Sequence, residues 1–157
     1  MRSDASLARV ANVADELEIR ALIHRYFHAI DTRDWISFRD CFAENATALY
    51  HKGSYGEIEL SGYAAILEAI RGRIDSYTAT LHVIGNVQVE LDSTAARASS
   101  HAIANVVLDG RVYVRGLRYL DELERRGARW VIRRRVHTSI WQYEAIAVTP
   151  SVVHSEK

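Results

Sequence analysis

The sequence predicts an α+β domain in which helices come first and hairpin-linked strands follow, the helices covering one face of a strongly curved antiparallel sheet that encloses a pocket. Two changes of pattern predict it. Up to Ile74 the apolar residues recur at spacings of three and four, the period of a helix with one buried face. After Tyr77 the chain turns into long segments rich in β-branched and aromatic residues, separated by short turn sequences. The 157 residues, 48% of them hydrophobic and 25% charged, suffice for one domain with a sizeable core.

Residues 1–14 read as an N-terminal extension, 15–143 as the domain and 144–157 as a tail. The first helix follows from Ile19, Leu22, Ile23, Tyr26, Phe27 and Ile30, with Asp15 as N-cap and Glu18 completing a capping box. Trp35, Phe38 and Phe42 follow Asp34, a possible N-cap, and predict a short second helix closing over the first. Ala46 to His51 reads as a strand and Lys52 to Glu59, with Gly53, Ser54 and Gly56, as a loop. Ser61 can cap a third helix through Ala65, Ile66, Ala69, Ile70 and Ile74. Thr78 to Leu91, Ala95 to Leu108, Arg111 to Glu124 and Ala128 to Tyr143 form a four-stranded meander. Its turns fall at Asp92-Ser93, Asp109-Gly110 and Arg126-Gly127.

Charge and cysteine content narrow the function classes. Twenty basic and twenty acidic residues cancel, so no global positive field recruits nucleic acid or an anionic membrane. Arg133-Arg134-Arg135 is the one basic cluster of note, and in a strand its members alternate faces. A single cysteine, Cys41, excludes an internal disulfide framework and a cysteine-rich zinc site. No signal-peptide core or membrane-length apolar segment is evident, and a soluble, cytoplasmic protein is expected. The only proline, Pro150, lies in the tail, which is expected to fray or dock on a neighbouring subunit.

Two distant fragments carry the candidate chemistry, Ile30-Asp31-Thr32-Arg33-Asp34-Trp35 and Thr80-Leu81-His82-Val83-Ile84-Gly85-Asn86. A carboxylate at a helix C-terminus meets the negative end of the helix dipole and calls for a compensating donor. His82 giving its Nδ1 hydrogen to Asp31 would leave Nε2 free as a base. The alternative is that Asp31 merely ends the helix and accepts a nearby backbone amide.

Register counting extends the site. Two-residue turns set His82 opposite Ile103, with His101 diagonal to it and Arg118 opposite His101, all on one face unless a bulge reverses the parity. That face would carry Ser99, His101, Asn105 and Arg118 among aliphatic residues, a mostly apolar wall with a few polar groups. Arg118 could hold an anionic oxygen or form a salt bridge with Asp121 or Glu122. Tyr50 could present its hydroxyl to a substrate carbonyl or pack at the core edge. His24 and His28 have a metal-compatible spacing but no HExxH pattern, and no metal or cofactor is expected. His51, His137 and His154 fit no constellation. Trp35, Trp130 and Trp141 read as core or subunit-interface anchors.

These residues resemble the SnoaL-like group of the nuclear transport factor 2-like superfamily, particularly its scytalone dehydratases and hexachlorocyclohexane dehydrochlorinase. The shared features run from Tyr26 through Asp31-x-x-Asp34-Trp35, then Phe42-Ala43, Thr80-x-His82-x-x-Gly85-Asn86 and Gly127-Ala128-Arg129-Trp130. The resemblance implies a cone-shaped α+β barrel and a cofactor-free lyase acting on a small, largely apolar cyclic substrate. It implies that His82 takes a proton while Asp31 orients it, and that His101 and Tyr50 face the substrate; Arg118, from the register count, and Trp35 are expected to contact the substrate as well. Ile30 stands where scytalone dehydratase has a tyrosine, and the Arg118-Tyr119 region lacks that enzyme's substrate-contacting asparagine. An isomerase or polyketide cyclase using the same base is an alternative within the superfamily. A non-catalytic domain like the β subunits of ring dioxygenases is another. A homodimer or homotrimer is expected by analogy, with no nucleic-acid or membrane partner.

Overall fold

A computed structural model of the chain describes residues 2–51, 56–92 and 94–147. In chain order its elements are α1 (Arg2–Thr32), α2 (Trp35–Arg39), β1 (Phe42–His51), β2 (Glu57–Ser61) and α3 (Tyr63–Ile74). The long strands β3 (Ala79–Asp92), β4 (Ala95–Leu108), β5 (Arg111–Arg126) and β6 (Arg129–Ile146) follow. The strands form one open sheet in the order β2-β1-β6-β5-β4-β3. Strands β3 to β6 are the expected antiparallel meander, but β1 joins β6 in parallel, so the complete sheet is mixed.

All six apolar positions that predict α1 are buried, and they form the core with the inner face of the sheet. The helix starts earlier than its sequence signals suggest. It runs back to Arg2 through the segment read as an extension, so Asp15 lies inside it and cannot be its N-cap. Asp15 instead accepts a hydrogen bond from Trp130 Nε1 at 3.1 Å and pairs with Arg125, while Glu18 accepts from the Trp130 backbone amide at 3.1 Å. Both acids tie α1 to the start of β6.

Asp34 does cap α2, accepting from the Ser37 amide at 3.0 Å, but Phe42 belongs to β1. Glu57–Ser61 pairs with β1 as a strand, correcting the loop expected up to Glu59, of which residues 52–55 lie outside the described residues. Ser61 is therefore not the cap of α3. Gly62, at φ 84°, takes the N-cap position, a conformation its missing Cβ permits.

Leu108 pairs with Arg111 as counted, across Asp109 (φ 50°) and Gly110 (φ 72°), whose two positive φ values make the type I′ geometry of a tight hairpin. The other two turns each shift by one residue, pairing Asp92 with Ala95 and Arg126 with Arg129. Bulges decide the rest of the register. The β3–β4 ladder shifts between Ile84 and Val87, and the β5–β6 ladder shifts at Gly116/Leu117 and at Glu122/Leu123. Among the described residues no helix is long and apolar enough to cross a membrane.

Candidate active site

Asp31 sits in the last turn of α1, and the way that helix ends fixes where its carboxylate points. Arg33 takes the left-handed conformation (φ 57°), its amide bonds the Ile30 carbonyl at 3.2 Å, and the Asp34 amide bonds the Ala29 carbonyl at 2.9 Å. This is a Schellman termination. The Arg33 side chain then donates to the Tyr77 carbonyl at 2.9 Å, holding the end of α1 against the segment that leads into β3.

Three donors from β3 meet the carboxylate. Asp31 Oδ1 lies 2.9 Å from Thr80 Oγ1 and 2.7 Å from His82 Nδ1, and Oδ2 lies 2.7 Å from the His82 backbone amide. Burial alone would raise the Asp31 pKa; the His82 and Thr80 hydrogen bonds and the His82 charge outweigh it and hold the carboxyl below its usual range. The donors also answer the unfavourable helix dipole. Facing an ionised carboxylate, Nδ1 must be the protonated ring nitrogen. Among the described residues no hydrogen bond engages Nε2. The His82 side chain is 6% exposed and its ring packs 5.4 Å from that of Phe27.

The inner wall around His82 is read off the strand pairing. His82 stands opposite Ala104, which stands opposite Arg115; Ile84, Ala102 and Leu117 form the next row. Then come Val87, Ser100, Tyr119, His137 and Tyr50, spanning five strands. The rings of Phe27, Tyr119, His137 and Tyr50 lie 5.0–5.2 Å apart in succession, so an aromatic path links His82 to the far side of the sheet. Below it Arg135 is fully buried in a bidentate pair with Asp121, both contacts at 2.7 Å, and its guanidinium lies 3.9 Å from the Tyr26 ring centroid. Burial would lower the Arg135 pKa, but Asp121 outweighs it and keeps the guanidinium charged. Burial, reinforced by the charges of Arg135, Arg73 and Arg115, pushes His137 down to about 3, so that imidazole is neutral.

Of the residues singled out in the sequence, Asp31, His82 and Tyr50 line this inner side. Tyr50 is buried, and burial pushes its phenol well above the ordinary value. Trp35 packs on Phe38 at 5.8 Å and beneath Arg71 of α3, at the helix–helix contact. His101 and Arg118 require correction. They pair as counted, but both are exposed on the outer face. The bulge at Gly85 and Asn86 reverses the parity of β3 relative to β4, so the inner face carries Ala102 and Ala104 instead. Arg115, Tyr119, Asp121, Arg135 and His137 were missed, and one inserted residue in β3 is the signal that would have found the residues on β5.

His24 and His28 are exposed, and among the described residues no three His, Cys, Asp or Glu side chains converge to hold a metal ion. Against this geometry, residues 11–136 match the model of the SnoaL-like domain. The chain belongs to the SnoaL-like family. A relative of similar length is the uncharacterized protein Rv2910c of Mycobacterium tuberculosis, 30% identical over 142 residues that cover 88% of this chain and 95% of that one. Two solved structures share the fold. A candidate aromatic ring hydroxylase from Novosphingobium aromaticivorans is 25% identical, with a TM-score of 0.74 over 85% of this chain and 94% of that one. The hexachlorocyclohexane dehydrochlorinase LinA-type3 of Novosphingobium barchaimii is 15% identical, with a TM-score of 0.76 over 93% and 99%.

Proposed function

We propose that this SnoaL-like protein is a cofactor-free lyase that removes a proton from a small, largely apolar cyclic substrate with His82 as base. The observation that carries the reading is the 2.7 Å contact between His82 Nδ1 and Asp31 Oδ1, on the inner face and at the end of α1. The carboxylate fixes the tautomer, and Nε2 takes the proton. The electrons of the broken C–H bond form the new double bond, and the group on the adjacent carbon leaves with its own bonding pair. A departing hydroxide then collects the proton from the imidazolium; a departing halide does not need it. General-base catalysis supplies roughly 10²- to 10⁴-fold, and positioning in the apolar interior supplies the rest.

The similarity to a dehydrochlorinase, by its name an elimination enzyme, supports this choice of reaction over the isomerase or cyclase reading. The direct test is solvent-deuterium incorporation into enolisable ring ketones such as 2-tetralone and 2-indanone, followed by mass spectrometry. Wild type should accelerate exchange and His82→Ala should not; equal exchange by a folded His82→Ala variant would remove His82 from the mechanism. Product mass then separates elimination, which releases water or halide, from isomerisation, which conserves mass.

The similarity to a candidate ring hydroxylase favours a second reading, a non-catalytic subunit of a ring-oxidising assembly. Co-purification with a larger metal-bearing chain would support it. Copies of the chain are expected to pair through the outer sheet face, where Leu81, Val83, Leu120 and Trp141 are all exposed.

A further inference from the structure

The base and its carboxylate leave the remaining charge of the inner face unexplained. Arg115 shares an inner row with His82, and only the methyl group of Ala104 stands between them. The two backbones are therefore two strand spacings apart, about 10 Å. Arg115 Nε is buried without a hydrogen-bond partner, and among the described residues no carboxylate pairs with this guanidinium. The neighbouring rows repeat the imbalance. Arg135 Nη1, a second obligate donor, is buried and likewise unpartnered. The acid beside them, Asp121, spends both oxygens on Arg135 Nε and Nη2. Two guanidinium donors thus lack an acceptor on this face, and burying donors without acceptors is costly. With Asp121 committed to Arg135, the guanidinium left on this face without a carboxylate among the described residues is that of Arg115.

We propose that Arg115 holds a carboxylate of the ligand, so that the natural substrate is a small ring compound carrying a carboxylic acid, its reacting C–H turned toward His82. A planar fork of N–H donors matches a carboxylate, and a guanidinium with no carboxylate of its own favours an anion over a neutral ring. This deepens the lyase reading and rests on it only for the orientation of the ring.

Binding tests the idea without any turnover. Benzoate, cyclohexanecarboxylate and 2-naphthoate are titrated by calorimetry against the corresponding neutral amides, with wild type, Arg115→Gln, Arg118→Gln and His82→Ala. Wild type should prefer the carboxylates by at least about tenfold, the lower range for a charge-assisted contact. Arg115→Gln should abolish that preference; Arg118→Gln, altered on the outer face, and His82→Ala should keep it. Equal affinity for acid and amide in wild type, no saturable binding of any of the three acids, or an undiminished preference in Arg115→Gln would overturn the proposal. The wild-type comparison alone decides if Arg115→Gln fails to fold. Failure of the base reading would look different, as unaltered deuterium exchange in a His82→Ala variant that still prefers carboxylates.

Discussion

Asp31 grips His82 twice, accepting the ring hydrogen at Nδ1 with one carboxylate oxygen and the backbone amide with the other, each at 2.7 Å. The second bond fixes the strand against the helix end, so the imidazole is oriented from its backbone as well as from its ring. Asp31→Asn removes the charge and offers Nδ1 an amide that can donate, favouring the opposite tautomer. Turnover of any substrate, or deuterium exchange, should fall by roughly 10²- to 10⁴-fold with the fold retained. An unaltered rate would dismiss Asp31 from the mechanism.

The same carboxylate links stability to pH. Its folded-state pKa lies below the unfolded value of about 4, so its contribution is present above that pH and is lost as pH falls through the folded pKa. Asp31→Asn should therefore flatten the acid limb of the stability profile, and Thr80→Val, which deletes one of the three donors, should weaken the dependence. Parallel acid limbs for wild type and Asp31→Asn in urea unfolding series would contradict this.

Asp121 and Arg135 are both fully buried and satisfy each other bidentately. Asp121→Ala leaves an uncompensated buried guanidinium and should cost about 3–5 kcal/mol in denaturant unfolding. A loss within a few tenths of a kcal/mol would show that the pair is solvated.

On the outer face Trp141 lies across Gly116, and a methyl group built on that glycine would overlap the indole ring. Gly116→Ala should displace Trp141, altering its fluorescence and costing about 1–3 kcal/mol. Adding Trp141→Ala should recover most of the loss; no recovery would place the strain elsewhere.

The residues of the helices were legible because their apolar positions recur at helical spacing, and because an acid at a helix end demands a donor. The faces of the strands were less so. Counting from a tight turn gave the His101–Arg118 pairing correctly, yet put both residues on the inner face, because a single inserted residue near Gly85 inverts everything beyond it. The arginine run shows the same physics. Simple alternation would expose Arg133 and Arg135 together. The β6 bulge leaves Arg133 and Arg134 exposed, both pairing with Glu122, and turns Arg135 into the core. Side-chain type could not reveal this, since bulges answer to sheet curvature, which no local motif encodes.

Proton abstraction requires Nε2 of His82 to be the free nitrogen. Long-range ¹⁵N–¹H correlation spectra of the His82 ring, in wild type and Asp31→Asn near neutral pH, assign the proton directly. In the neutral form of the ring the proton is expected on Nδ1 in wild type, with loss of that tautomer in Asp31→Asn. A wild-type ring protonated at Nε2, with Nδ1 bare against Asp31, would contradict this.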